Sequence, residues 1–325
     1  MDLIITHAKC PDGWCAALIT KRRYPEAEIM PLDHGEPVPF DAVRDKNVIV
    51  VDFSWPNRED NIELHRIAKS FHIFDHHKSA FEKLEGLDFV TFDMKRSGAG
   101  LAWDYLFGKD SKGLIWPTFD DVLDGNNLFH SRPWYVDYVE DRDLWNWALP
   151  DSKAVSSYLM SLPMTVEGWS RLDSPFLSAS DAAVLGEGIL RHVDRYVQEA
   201  AHEAQRGFLQ IADGRYLTAE VVNCPYMNCS EVGNVLAKRA DVGITWFERA
   251  DGQTQFSLRS EGDIDVSAIA KTYGGGGHLH AAGFRMNLQE GRRFLDTVLS
   301  REWTQETINQ CLDALSKLRY PGPRC

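Results

Sequence analysis

Asp75, His76 and His77 stand together directly after an apolar run, residues 71–74. Two imidazoles and a carboxylate in a row can hold a divalent ion or move a proton, yet one such triplet is also an ordinary polar turn. Its weight comes from three other segments. Residues 3–6 form an apolar run ending at His7, with Cys10 and Asp12 just beyond. Residues 48–51 form another, ending at Asp52, and Val139 is followed by Glu140, Asp141, Arg142 and Asp143. Alone, His7 reads as a core or hydrogen-bonded histidine, and Asp52 as the cap of a following helix. Together they are nitrogen and oxygen donors at the ends of short apolar strands. A hydrolytic centre with two divalent ions requires that combination, one carboxylate bridging ions about 4 Å apart.

The elements that must position these residues follow from the apolar spacing. Residues 3–6, 48–53 and 71–74 read as buried strands. Residues 13–23, with Ala16, Ala17 and Ile19 facing inward, 58–69 and 99–107 read as helices, the last opened by Ser97 and Gly98. Strands alternating with helices predict an α/β domain with a mainly parallel sheet covered on both faces. Ligands of such sheets sit beyond the carboxyl ends of the strands, where His7, Asp52 and Asp75 fall. Residues 134–147 are rich in aromatics and acids, and prolines at 150, 163 and 175 predict small helices and turns after them. Residues 181–208 read as one long bridging helix, with Leu185, Ile189, Val193 and Val197 on one face. A strand-rich region over 216–286 and a helical stretch over 293–318 complete the chain. The expected organisation is a catalytic domain over 1–175, a helical linker over 176–212, a smaller α/β domain over 213–297 and a helical tail over 298–325.

Bulk properties narrow the partners. A chain of 325 residues can form two cores, and a formal net charge of −13 argues against a sequence-independent grip on long duplex nucleic acid. Short anionic substrates stay open, because bound cations and a few basic side chains reverse the sign locally. No apolar run approaches the roughly 20 residues of a membrane span, and no basic segment precedes the first strand. The six cysteines (10, 15, 224, 229, 311 and 325) form no CxxC pair, so free thiols in a reducing cytoplasm are expected.

The motifs, taken in order, resemble the DHH phosphoesterase superfamily, which includes RecJ-like exonucleases, nano-RNase and pAp phosphatases, and family II pyrophosphatases. The carriers are His7, Cys10, Asp12 and Gly13; Val51 and Asp52; Asp75, His76 and His77; and Val139, Glu140 and Asp141. Thr272 to Phe284, with Gly274 to Gly277 and His278, is similar to the signature of the DHH-associated C-terminal domain. The resemblance implies two divalent ions, manganese first. One would be held by His7, the Cys10 position and Asp52, the other by Asp12, Asp52, His76 and Asp141, preferred over Asp143. Asp75 would orient a histidine, and His77 would face the substrate phosphate or give a proton to the leaving oxygen.

Cys10 stands where family members commonly carry an acid. As a thiolate ligand it would admit zinc, cobalt or iron; as a non-ligand it would leave a site completed by water. In the second domain Gly275, Gly276 and Gly277 could cradle a phosphate with their amides, with His278 and Arg259 as donors; the alternative is a turn with a structural histidine. Arg96 and Arg142 are further candidate phosphate contacts. The resemblance implies hydrolysis of short oligonucleotides or small nucleotide phosphate esters. Pyrophosphate or short polyphosphate hydrolysis and a non-catalytic nucleotide sensor are the competing readings, and a homodimer is left open.

Overall fold

In the computed structural model, residues 1–108 and 132–299 are described, and the chain divides into two units, Met1–His192 and a second beginning at Val193. Of the expected tail over 298–325, residues 300–325 lie outside the described residues, as do Cys311 and Cys325.

The first unit is built on five parallel strands, β1 (Leu3–His7), β2 (Glu28–Leu32), β3 (Asn47–Val51), β4 (Ser70–Asp75) and β5 (Val90–Phe92), in the order β2-β1-β3-β4-β5. Successive side chains along a strand point to opposite faces, and both faces are apolar here. Ile4, Ile49, Val51 and Phe74 join one core with α1 (Pro11–Arg23), α5 (Gly98–Phe107), α6 (Trp134–Asp143) and α7 (Ser152–Ser161). Leu3, Ile5, Val48, Val50, Phe71 and Ile73 join the other with Leu64 of α3 (Arg58–Ile67) and Leu84 of α4 (Lys78–Leu84). The short helices α2 (Phe40–Val43) and α8 (Val166–Ser170) complete the unit. Because β1 is flanked by β2 on one side and β3 on the other, the connections after β1 and β3 diverge. The gap between their carboxyl ends is the place where sheets of this order bind ligands.

Helix α9 (Ala179–His202) contains the division between the units. It ends six residues before the expected boundary at 208. Residues Gln205–Gln210 form β6 instead, paired antiparallel with β7 (Tyr216–Asn223). Gly207 fits there because a β-carbon would lie 2.1 Å from the Val298 carbonyl oxygen.

The second unit is a six-stranded sheet, β10-β11-β9-β8-β7-β6, made with β8 (Val242–Glu248), β9 (Gln253–Arg259), β10 (Gly276–Gly277) and β11 (Ala281–Asn287). All neighbours are antiparallel except β7 and β8. Phe256, Phe284 and Phe294 form its core with Ile269 and Ala270 of α11 (Val266–Thr272) and Leu295 and Val298 of α12 (Leu288–Leu299). Helix α10 (Cys229–Ala237) buries Val232 and Leu236 against Val222.

Candidate metal centre

The β1–α1 turn delivers His7, Cys10 and Asp12. Thr6 closes it by donating its hydroxyl to the Gly13 carbonyl at 2.6 Å, and Trp14 Nε1 donates to the Ala8 carbonyl at 2.8 Å. A β-carbon on Gly13 would sit 2.8 Å from the His7 carbonyl oxygen, so the turn is this tight only with glycine. Asp52 follows β3 with φ of 53°, a left-handed backbone that Asp and Asn tolerate better than other side-chain-bearing residues.

The imidazole of His76 gathers the carboxylates. Its Nε2 lies 3.2 Å from Asp52 Oδ1, 3.5 Å from Asp12 Oδ2 and 3.6 Å from Asp143 Oδ2. One donor atom each from Asp12, His76 and Asp143 lie within 4.8 Å of one another, and so do one each from His7, Cys10 and Asp52. Asp52 thus borders both groups. Asp52 Oδ2 and Asp143 Oδ2 are buried and accept no hydrogen bond among the described residues. Buried carboxylate oxygens left in that state are costly, and a cation relieves the cost, so this donor set fits divalent ions.

Asp75 is committed elsewhere. Its Oδ1 accepts from the amides of His76 at 2.7 Å and His77 at 3.0 Å and pairs with His77 Nδ1 at 2.7 Å. Its Oδ2 accepts from Ser54 Oγ at 2.7 Å. The carboxylate therefore fixes the His77 ring by Nδ1.

The charges are strongly linked. Burial, then the neighbouring carboxylates of Asp52 and Asp143, push Asp12 well above the usual carboxylate range. Burial also raises Asp143. Burial opposes ionisation of Asp52 too, but its hydrogen bond with His76 and the surrounding imidazoles outweigh that and hold it low. For His76, burial disfavours the cation, yet Asp143, Asp52 and Asp12 together raise it well above an ordinary histidine. Burial likewise works against the His77 cation, and Asp75 overcomes it. Burial, reinforced by Asp52, Asp12 and Asp143, raises the Cys10 thiol.

Asp143, and not the Asp141 expected from the sequence, is the acid this geometry places beside His76. Asp141 Oδ1 accepts from the Ala148 amide at 2.9 Å, and Oδ2 from the Leu149 amide at 3.3 Å and Ser152 Oγ at 2.5 Å. It closes the loop after α6, while Asp143, two residues on and rotated by about 200° on a helix, is the one brought to His76. Arg96 is likewise occupied away from any phosphate, with Asp104 at 2.9 Å and Glu140 at 2.6 Å. Arg142 lines a recess with Cys10, Asp12, Tyr138 and Asp143.

Sequence reasoning missed the seat of Asp12. Both its oxygens accept amides from the start of α5, Gly98 at 2.5 Å and Ala99 at 2.9 Å. A β-carbon on Gly98 would lie 2.6 Å from Asp52 Cβ and 2.9 Å from Asp12 Oδ2. The only sequence sign was Ser97, whose hydroxyl caps α5 by accepting from the Gly100 amide at 3.1 Å. Glu140 completes the support by accepting from the Ser97 amide at 3.1 Å.

In the second unit, the amide of Gly275 donates to the Ala270 carbonyl at 2.9 Å, and that of His278 to Ala281 at 2.8 Å. Gly276 and Gly277 pair with Gly283 and Ala282 in the sheet. The cradle of amides expected over Gly275, Gly276 and Gly277 is therefore corrected at Gly275, whose amide is spent within the chain. A β-carbon there would also lie 2.1 Å from the Gly283 carbonyl oxygen, so close packing demands this glycine. Arg259 donates to Ser230 Oγ at 2.7 Å and to the Leu258 carbonyl at 2.8 Å, tying β9 to α10.

Comparison with known proteins agrees with the α/β fold. The family model of the DHHA1 domain matches residues 213–306. Uncharacterized protein R106 of Acanthamoeba polyphaga mimivirus is 25% identical over 307 residues, 87% of this chain and 67% of that protein. The structure of RecJ from Thermus thermophilus in complex with Mn2+ superposes with a TM-score of 0.53 at 16% identity, over 92% of this chain and 51% of RecJ. The chain thus spans about half of that RecJ. A DHH domain described as a member of the s1p family of ribosomal proteins gives 0.51 at 14% identity, over 98% of this chain and 87% of its own. The second unit thus matches the DHHA1 domain model, and the chain shares its fold with RecJ and with that DHH domain.

Proposed function

We propose that this protein is a divalent-metal-dependent phosphoesterase that hydrolyses short oligonucleotides or small nucleotide phosphate esters. The observation that carries the reading is the pair of donor groups bordering Asp52, one with His7 and Cys10, the other with Asp12, His76 and Asp143. Two divalent ions held there would make hydroxide available near neutral pH and offset charge on phosphoryl oxygens, manganese being the first candidate. His77 is steadied by Asp75 so that Nε2 can donate to a phosphoryl oxygen or protonate the leaving oxygen. Asp75 holds that ring in one orientation, which keeps the donated proton aimed at one side of the site. A net charge of −13 favours small substrates over long duplexes.

The test is a panel of dinucleotides, 3′-phosphorylated adenylate, model phosphodiesters and pyrophosphate, each with Mn, Mg, Co and Zn. Asp52→Asn serves as the inactive control. Metal-stimulated turnover of the nucleotide esters, lost in the variant, is expected. Turnover of pyrophosphate alone would replace the reading with phosphoanhydride hydrolysis. Tight nucleotide binding with the ligand recovered intact would make the protein a sensor.

A further inference from the structure

We propose that Cys10 is a thiolate ligand and that the two ion positions are therefore chemically unlike, one a nitrogen–sulfur–oxygen site and the other a nitrogen–oxygen site. The inference rests on the two-ion reading above and specifies which metals that centre selects.

Cys10 contributes its sulfur to a compact group with His7 and Asp52, all three donor atoms mutually within 4.8 Å. Asp52 engages His76 through Oδ1, leaving Oδ2 buried with no hydrogen-bond acceptance among the described residues. A buried carboxylate oxygen in that state favours a cation beside it, an observation independent of the sulfur. Cys10 sits at the N-cap of α1 with Pro11 as the first helical residue; burial and the neighbouring carboxylates keep its thiol protonated until a metal displaces the proton. Cys10 also lines a recess with Asp12, Arg142 and Asp143. Cys15, Cys224 and Cys229 are buried and belong to no such donor group among the described residues.

Sulfur changes what the site prefers. A set of imidazole, thiolate and carboxylate suits zinc, cobalt or iron(II), whereas the set of Asp12, His76 and Asp143 suits manganese or magnesium. Filling the first site releases the Cys10 proton to solvent as the metal–sulfur bond forms. The centre then holds two different metals, and replacing Cys10 by an acid makes both positions hard.

The experiment strips the full-length protein with a chelator and titrates it with Co2+. A near-ultraviolet sulfur-to-cobalt charge-transfer band should grow as the His7–Cys10–Asp52 position fills, and should be lost in Cys10→Ser although cobalt still binds the second position. X-ray absorption on the zinc-loaded wild type provides a check needing no variant, with a sulfur shell expected at about 2.3 Å. Ion binding with neither band nor sulfur shell overturns the role of Cys10 and leaves the two-ion phosphoesterase standing. Failure of the wild type to bind any ion overturns both.

Discussion

Three carboxylates crowd one imidazole, and their charge favours a proton on it when no ion is bound. His76 and Asp12 both bind protons more tightly in the fold than in the unfolded chain. Stability from a raised pKa is fully present below the unfolded value and is lost as pH climbs through the folded one. For His76 that loss begins above about 6.5, the ordinary histidine value, so with a chelator present the urea midpoint should fall as pH rises beyond it. With ions bound the carboxylates are compensated without the proton, and the fall should vanish. Metal uptake must also expel protons, which calorimetry in buffers of different ionisation enthalpy would read as a buffer-dependent heat. A heat independent of buffer would mean that neither His76 nor Cys10 gives up a proton on binding. At Asp52 the backbone and the ligand role separate. Asp52→Asn keeps a side chain that tolerates the left-handed backbone, whereas Asp52→Ala should cost about 1 kcal/mol more in a thermal melt. Turnover should be absent in both.

Elements decide which residues were legible beforehand. His7, Asp52 and Asp75 were readable because a buried parallel strand is a short apolar run, and its carboxyl end is simply where the run stops. Asp143 was not, because near the end of a helix two acids two residues apart look alike until packing shows which one the following loop takes. Asp141 takes the amides of Ala148 and Leu149. The misread end of α9 has a similar cause. Residues 205–210 continue a plausible helical pattern, and their pairing with β7, a contact invisible locally, overrides it. The seat of Asp12 on α5 is also a long-range contact, separated by 86 residues. It makes a sharp prediction. Gly98→Ala would press on Asp52 and Asp12 and should destabilise the first unit by about 1–3 kcal/mol while weakening ion binding. An unchanged melt and an unchanged metal titration would show that α5 can retreat at no cost.

For the whole molecule, the charge balance and the centre point the same way. An acidic chain concentrates cations near a buried acidic cluster while discouraging extended polyanions. Duplex DNA of about 30 base pairs should show no saturable anisotropy change at 0.15 M salt, with or without Mn2+. Saturable, salt-sensitive binding would reveal a basic track that the composition hides.

The amides of Gly98 and Ala99, held by Asp12, give the centre an internal gauge. An ion that immobilises Asp12 should slow deuterium uptake at those two positions more than elsewhere in α5. Occupancy of the pair of ions could then be followed peptide by peptide, with no substrate present and before any reaction has been found.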